Sequence, residues 1–280
     1  MEPKKQRKAP IRRKKKQKKV EVSWISITGV FVGLIVAVFL FRGAFTYLSK
    51  PGRFAYLNHL FSIVTHREEI TTIKMDGYSI YGIDISHHQD KIDWPSLKKQ
   101  EVTFAFIKAS EGVNLKDRHF KKHWKGAREQ QILRGAYHFF LPIRSAQDQA
   151  DNFISQVKLE EGDLPPVLDV EVTNHKSSEE IREGVQEWLT LVERHYGVKP
   201  IIYTGYNFYQ THLAGYFDDY PLWVAHYSRK KLDKKEHYNW VFWQHSESGR
   251  IEGIKGNVDL NVFHGNMQEL EDLCYFPEVE

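Results

Sequence analysis

Two carboxylates stand two positions apart in the apolar stretch PVLDVE, residues 166–171. Side chains alternate across a β-strand, so Asp169 and Glu171 are expected to point to one face and the aliphatic residues of the stretch to the other. Close carboxylates push their pKa values apart, so one can stay protonated while the other is charged. Cleavage of a glycosidic bond needs such a pair, because an acid must protonate the leaving oxygen while an anion stands near the anomeric carbon. A polar strand end with two solvated acids is the alternative interpretation.

Two further acids, Asp84 and Asp259, are each flanked by aliphatic residues in other short apolar stretches. If these stretches are strands of one closed sheet, all four acids point inward and converge on one cleft. A carboxylate cluster could instead hold a hard cation such as Ca²⁺ or Mg²⁺. The chain has no loop resembling an EF-hand, and the acids come from separate stretches, so we expect no metal and no cofactor.

Eight short apolar stretches, with helical patterns after each of the first five, must position these acids. The predicted strands are residues 81–86, 103–110, 134–140, 166–171, 200–205, 221–227, 240–246 and 257–263. The clearest helical patterns cover 145–159 and 177–196, and the second begins at serine caps and stops before Gly197. This alternation predicts an α/β fold, an irregular TIM-like (β/α) barrel degraded in its last third. In such barrels the site lies at the C-terminal ends of the strands.

Charge divides the 280-residue chain into two unlike parts. Residues 1–21 carry 11 Lys/Arg and 2 Glu, whereas the other 259 residues carry 29 Lys/Arg and 34 Asp/Glu. The larger part is therefore mildly acidic, which argues against a nucleic-acid partner. The single cysteine, Cys274, excludes an internal disulfide.

Residues 22–41 form an uncharged run of 20 residues, the length that spans a bilayer core. The apolar core of a cleaved signal peptide is usually shorter, so we expect an uncleaved transmembrane helix. Basic residues stay on the cytoplasmic side, which predicts a single-pass protein of the cell (inner) membrane with a cytoplasmic tail at 1–21 and a periplasmic or extracellular catalytic domain. The expected organisation continues with a connector at 42–78, a barrel at 79–268 and a C-terminal tail at 269–280.

Six segments, which cover every predicted strand but 200–205, resemble the family 25 glycoside hydrolases, which are lysozymes or N-acetylmuramidases with an irregular β/α barrel. The segments are YGIDISHHQDKIDW (81–94), FAFIKASEG (104–112), RGAYHFF (134–140), PVLDVE (166–171), LWVAHY (222–227) and WQHSESGRIEGIKGNVDLNVF (243–263). By this resemblance Glu171 matches the acid/base, Asp169 its partner carboxylate, and Asp84 and Asp259 the supporting acids. The resemblance implies cleavage of the β-1,4 bond between N-acetylmuramic acid and N-acetylglucosamine in peptidoglycan.

Four more residues on predicted strands could bind substrate: Lys108, Tyr137, Trp223 and Gln244. In the cleft an aromatic ring can stack on a sugar face and polar groups can hydrogen-bond its substituents, although each residue could equally pack in the core. The expected partners are peptidoglycan glycan strands and the membrane, and nothing in the sequence indicates an oligomeric state. The alternative function is a non-catalytic peptidoglycan-binding or scaffolding membrane protein with the same barrel, against which the presence of all four acids argues.

Overall fold

The computed structural model describes residues 73–228, 232 and 240–277. The basic tail at 1–21, the apolar run at 22–41 and most of the connector at 42–78 lie outside these residues, so their predicted roles stay predictions. Within the described part, no helix is long and apolar enough to cross a bilayer.

The described residues form a sheet of nine strands. The strands are β1 (Ile80–Ile85), β2 (Val102–Glu111), β3 (Leu115–Lys116), β4 (Leu133–Phe139), β5 (Val167–Asp169), β6 (Ile201–Gly205), β7 (Leu222–Ala225), β8 (Trp240–Gly249) and β9 (Val258–Phe263). Because β1 pairs with both β2 and β9, eight strands close into a barrel, and β3 only extends the end of β2. The predicted barrel of α/β type is thus present in outline.

Helices follow the first five barrel strands along the chain, and one more lies near the C-terminus. They are α1 (Trp94–Lys99), α2 (Phe120–Glu129), α3 (Ala146–Gln156), α4 (Ser178–Tyr196), α5 (Tyr206–Phe208, continued by a π-helical turn at Tyr209–Leu213) and α6 (Met267–Glu271). The longest, α4, begins with a capping box between Ser177 and Glu180 and ends at Gly197, whose φ of 72° suits glycine. Its buried apolar stripe packs on the barrel, which holds the outer layer in place.

The last barrel strand differs from the regular pattern in its direction. All neighbouring barrel strands pair in parallel except β9, which is antiparallel to both β8 and β1. The residues between Gly249 and Val258 are too few for a crossover helix, and parallel strands need a connection of roughly a dozen residues or more. The chain therefore turns back as a hairpin, and Asp259 lies at the N-terminal end of β9. Because β9 runs in the opposite direction, its N-terminal end lies at the same mouth of the barrel as the C-terminal ends of the parallel strands, and Asp259 reaches the expected cleft.

Aromatic rings fill the barrel below that mouth. Phe106 stacks on Trp223 with ring centroids 4.3 Å apart, and Phe242 contacts Phe104 at 5.1 Å and Phe106 at 5.0 Å. A glycine is required beside this layer, because a Cβ at Gly82 would lie 2.3 Å from the Phe104 ring. In the part of the chain that the structure describes, the barrel is thus a packed core rather than an open channel.

The packed domain extends beyond residues 79–268, the bounds expected from the sequence, at both ends. Ile73 is buried in the core, and Tyr78 packs against the ring of Trp243 at 5.9 Å. At the other end Cys274 is buried, and Tyr275 exchanges backbone hydrogen bonds with the 162–163 turn. Within residues 269–277, which were expected as part of a tail, Leu270 and Cys274 are buried in the core of the barrel.

Candidate active site

A cavity of about 440 Å³ opens at the mouth where the parallel strands end and β9 begins. All eight residues singled out from the sequence line it. They are Asp84, Lys108, Tyr137, Asp169, Glu171, Trp223, Gln244 and Asp259. Eight further residues that the sequence analysis did not select complete the lining: Ile85, Ser86, His88, Gln89, Phe139, Tyr203, Tyr227 and Glu247. The structure therefore brings the four acids together around a single space.

Asp84 and Asp259 face each other across the β1–β9 ladder and share a hydrogen bond. The Oδ2 atom of Asp84 accepts hydrogen bonds from Gln244 Nε2 at 2.8 Å and from Asn261 Nδ2 at 2.7 Å. Burial, and then the charge of Asp259, raise the pKa of Asp84 well above its usual value, and burial also raises the pKa of Asp259. Since both amides donate to Oδ2, Oδ1 is the oxygen of Asp84 that is left to interact with Asp259.

The two amides that hold Asp84 are themselves fixed by outer partners. Trp223 Nε1 donates to Asn261 Oδ1 at 2.8 Å. The hydroxyl groups of Tyr203 and Tyr227 donate to Gln244 Oε1 at 2.8 Å and 2.6 Å. The oxygen of Gln244 and one of its two amide protons are thus engaged by protein groups, and through them Gln244 orients Asp84.

The second pair of acids comes from the end of β5. Asp169 is the last residue of that strand and is buried, whereas Glu171 lies two residues beyond it and is exposed at the mouth. Burial, and then the charge of Glu171, raise the pKa of Asp169 well above its usual value. Within the described residues Asp169 Oδ1 has no hydrogen-bond partner. The Asp169 carboxyl group thus lines the cavity without being fully satisfied by protein groups.

Glu171 stands where the cavity meets a shallower groove of about 650 Å³ beside β6 and β7. Neighbouring groups exclude solvent around its carboxyl group and raise the pKa of Glu171, although the residue as a whole is exposed. A hydrogen bond from the Tyr203 hydroxyl lowers this pKa, Asp259 raises it, and Lys108 lowers it. A carboxylic acid at the junction of two binding spaces is suited to donate a proton to an atom that bridges them.

Lys108 and Tyr137 complete the polar lining near Asp169. Lys108 Nζ forms an ion pair with Glu111 at 2.7 Å and lies 4.9 Å from the centre of the Phe139 ring. Burial and the surrounding acids raise the pKa of Tyr137 well above its usual value, so its hydroxyl stays a hydrogen-bond donor. Both side chains can therefore donate hydrogen bonds to a sugar substituent in this cavity.

Only some of the site residues that were not predicted could have been found from a pattern in the sequence. Asn261 follows Asp259 by two positions, so alternation along the strand places both on the inner face. Tyr203 is next to Asp169 in the β5–β6 register, which no sequence pattern reveals. Glu247 lies near the end of β8 and reaches the mouth because that strand runs well past the ladder with β7.

The profile of the family described as "Glycosyl hydrolases family 25" matches residues 83–254. Uncharacterized protein YegX of Escherichia coli strain K12 is 48% identical over 200 residues, which are 70% of this chain and 73% of that protein. Lysozyme M1 of Streptomyces globisporus is 34% identical over 220 residues, 72% of this chain and 74% of that protein. A solved family 25 glycosyl hydrolase from Bacillus anthracis superposes with a TM-score of 0.67 at 34% identity, covering 71% of this chain and 95% of that chain. From the matched profile, the relatives and the shared barrel, we conclude that this chain belongs to glycosyl hydrolase family 25.

Proposed function

We propose that this protein is a peptidoglycan hydrolase that cleaves the β-1,4 bond between N-acetylmuramic acid and N-acetylglucosamine. The observation that carries the proposal is the pair Asp169 and Glu171, both with raised pKa values, in one cavity with Asp84 and Asp259. Similarity to Lysozyme M1 supports the choice of glycan. The sugar that is attacked occupies the cavity above Trp223, and the leaving sugar occupies the adjoining groove.

Glu171 is the proton donor in this proposal. Its raised pKa keeps a proton available, and its position between cavity and groove puts the carboxyl group beside the bridging oxygen. Transfer of that proton lets the leaving sugar depart as an alcohol. Glu171, now ionised, can then take a proton from the water that completes hydrolysis.

Asp169 supplies the negative charge that the reacting sugar requires. Its carboxylate, which lines the cavity, can either attack the anomeric carbon or accept a hydrogen bond from the N–H of the acetamido group, whose oxygen then attacks. The charge of Lys108 lowers the pKa of Asp169 and so favours its anionic form. A hydrogen bond donated by the acetamido N–H of the substrate would favour the anion further. In both routes Asp169 compensates positive charge as the transition state develops.

Kinetics of two amide variants test these roles. Glu171→Gln should lower kcat on peptidoglycan by about 10²–10⁴, the usual contribution of general acid catalysis. Asp169→Asn should be severely impaired as well, because it removes the compensating charge. A substrate with an activated leaving group needs little protonation, so it should partly rescue the Glu171 variant and leave the Asp169 variant inactive.

The matched control is Glu247→Gln, which removes another carboxylate from the same mouth. Glu247 lines both spaces and is exposed to solvent. It should keep more than about a tenth of the wild-type kcat, since it lies on β8 and is not part of the Asp169–Glu171 pair at the end of β5. The opposite rescue pattern would exchange the roles of Asp169 and Glu171, and wild-type activity in both variants would refute the proposed function.

We propose in addition that residues 22–41 anchor the enzyme in the cell membrane, with the barrel outside the cytoplasm. The support is the uncharged run of 20 residues that follows 11 basic residues. A hydrolase tethered in this way would act on the cell-wall peptidoglycan that lies close to its own membrane. Reporter fusions at residue 280 should be active only on the far side of the membrane, and a mature chain that begins near residue 45 would contradict the anchor.

A further inference from the structure

Gln244 Oε1 receives two hydroxyl donors, although one would satisfy it. Tyr203 donates at 2.8 Å and Tyr227 donates at 2.6 Å. The Tyr203 hydroxyl lines the same cavity as the Glu171 carboxyl group and is close enough to lower the pKa of Glu171 through a hydrogen-bonding interaction. A hydroxyl group has one proton, so Tyr203 can donate fully to only one of these two acceptors at a time.

The surroundings of Tyr203 suit a donor that changes acceptor without moving its ring. The ring is buried in β6 beside Asp169 and packs on Trp223 with centroids 4.3 Å apart. Burial and the neighbouring acids raise the pKa of Tyr203 well above its usual value, so the hydroxyl keeps its proton throughout the working pH range. Only rotation about the C–O bond is needed to redirect that proton.

We infer that Tyr203 is a positioning residue that redirects its O–H from Gln244 Oε1 to Glu171 when Glu171 gives its proton to the glycosidic oxygen. The proton that moves is the one on Glu171, and it ends on the leaving sugar. The O–H bond of Tyr203 stays intact. When Glu171 takes a proton from water in the second half of the reaction, Tyr203 returns to Gln244. This inference rests on the proposed role of Glu171 as proton donor.

The second donor on Gln244 makes the exchange favourable. When Tyr203 turns away, Tyr227 still satisfies Gln244 Oε1, so no buried acceptor is left without a partner. The bond that Tyr203 gains is to a carboxylate, and hydrogen bonds to charged groups are stronger than those between neutral groups. The gain arises only as Glu171 becomes ionised, and an interaction that strengthens during the reaction raises the rate.

Other charged and titratable groups also face Glu171, and they remain in place when the Tyr203 hydroxyl is removed. They are Asp169 on β5, Lys108 on β2, Asp84 on β1, Asp259 on β9, and Glu247 and Tyr227 at the mouth. A change in the titration of Glu171 in Tyr203→Phe therefore reports the lost hydroxyl. The phenylalanine ring keeps the packing on Trp223.

The test is the pH dependence of kcat/KM on purified peptidoglycan for the full chain and its Tyr203→Phe variant. Activity falls at high pH as Glu171 loses its proton. Without the hydroxyl that stabilises ionised Glu171, the midpoint of this alkaline limb should move up by about one pH unit, as expected for one hydrogen bond to a charged group. At the wild-type optimum, kcat should fall by about tenfold.

Tyr137→Phe is the matched control, because it removes a hydroxyl from the same cavity that does not bond to Glu171. Its alkaline limb should coincide with that of the wild type, whatever its rate. If the midpoint of the alkaline limb in Tyr203→Phe is unchanged or lies at lower pH than in the wild type, the inference is overturned. If Glu171→Gln is inactive in the same assay, that result leaves the proposed function standing, whereas an active Glu171→Gln refutes the proposed function itself.

A second measurement does not depend on turnover. Carbon-13 NMR titration of labelled glutamate carboxyl groups, with Glu171 assigned through Glu171→Gln, should show a higher midpoint in Tyr203→Phe than in the wild type. Thermal melting checks that the variant is folded. Equal midpoints in folded protein would also overturn the inference.

Discussion

Replacement of Asp84 by asparagine should stabilise the protein at neutral pH. Asp84 is 8% exposed, and its Oδ2 accepts hydrogen bonds from Gln244 and Asn261. In Asp84→Asn the amide oxygen can keep both bonds, and the amide N–H can donate to Asp259. The variant therefore imitates a protonated Asp84 and removes the cost of ionising a buried carboxyl group beside another acid.

The size and the pH dependence of the gain follow from the raised pKa of Asp84. Below an unfolded-state pKa of about 3.9 the carboxyl group is protonated in both states, so the variant should gain nothing there. As pH rises above that value, the unfolded chain ionises first and the wild type loses stability until Asp84 also ionises in the folded state. At pH 7 we expect Asp84→Asn to gain about 1–3 kcal/mol, the usual cost of a poorly compensated buried polar group.

Urea unfolding at pH 7 and at pH 3.5 measures this gain, and Tm should rise by about 2–4 °C for each kcal/mol in a domain of this size. The matched control is Asp76→Asn, which neutralises an exposed carboxylate and should change the free energy of unfolding by less than about 0.5 kcal/mol. A variant less stable than the wild type at pH 7 would refute the reasoning. So would a gain of equal size at both pH values, because it could not come from ionisation.

Two further predictions concern the frame of the barrel. Arg134 is buried and bonds to Asp163 at 2.7 Å, so Arg134→Met leaves a buried charge and should lower the free energy of unfolding by about 3–5 kcal/mol in urea titrations. The control Arg128→Met removes an exposed partner of Glu160 and should cost no more than about 1 kcal/mol, so equal losses would contradict the distinction. Residues 68–280 form one compact unit and should unfold cooperatively when expressed alone, and a chain that begins at residue 79 should melt at lower temperature because it lacks buried Ile73. Equal melting temperatures would show that residues 68–78 add nothing to the domain.

Local pattern was enough to predict the strands of the barrel and the inward direction of its acids. The alternation of Asp169 and Glu171 with aliphatic residues reports which face is buried, and Asp84 follows the same rule. The helix at Ser178–Tyr196 was predictable because its caps and apolar stripe are coded within a few residues. These features depend on neighbours in sequence, which is why a single chain reveals them.

Features set by distant contacts were not predictable in the same way. The direction of β9 depends on a hairpin rather than a crossover, and only the short connection after Gly249 indicates it. The bonds of Tyr203 and Trp223 to Gln244 and Asn261 join strands that lie far apart in sequence. Such a network depends on register across the barrel, so the sequence alone could suggest that Gln244 lies near the site without showing that it holds Asp84.

Identification of the bond that is cut tests the proposed function most directly. Purified peptidoglycan would be digested with the full chain, with Glu171→Gln as the inactive control, and the new reducing ends would be reduced with borohydride and separated. The proposed function predicts that the reduced sugar is the alcohol of N-acetylmuramic acid, formed by the wild type and absent with Glu171→Gln. New ends at N-acetylglucosamine, or no new ends with folded wild-type protein, would contradict it.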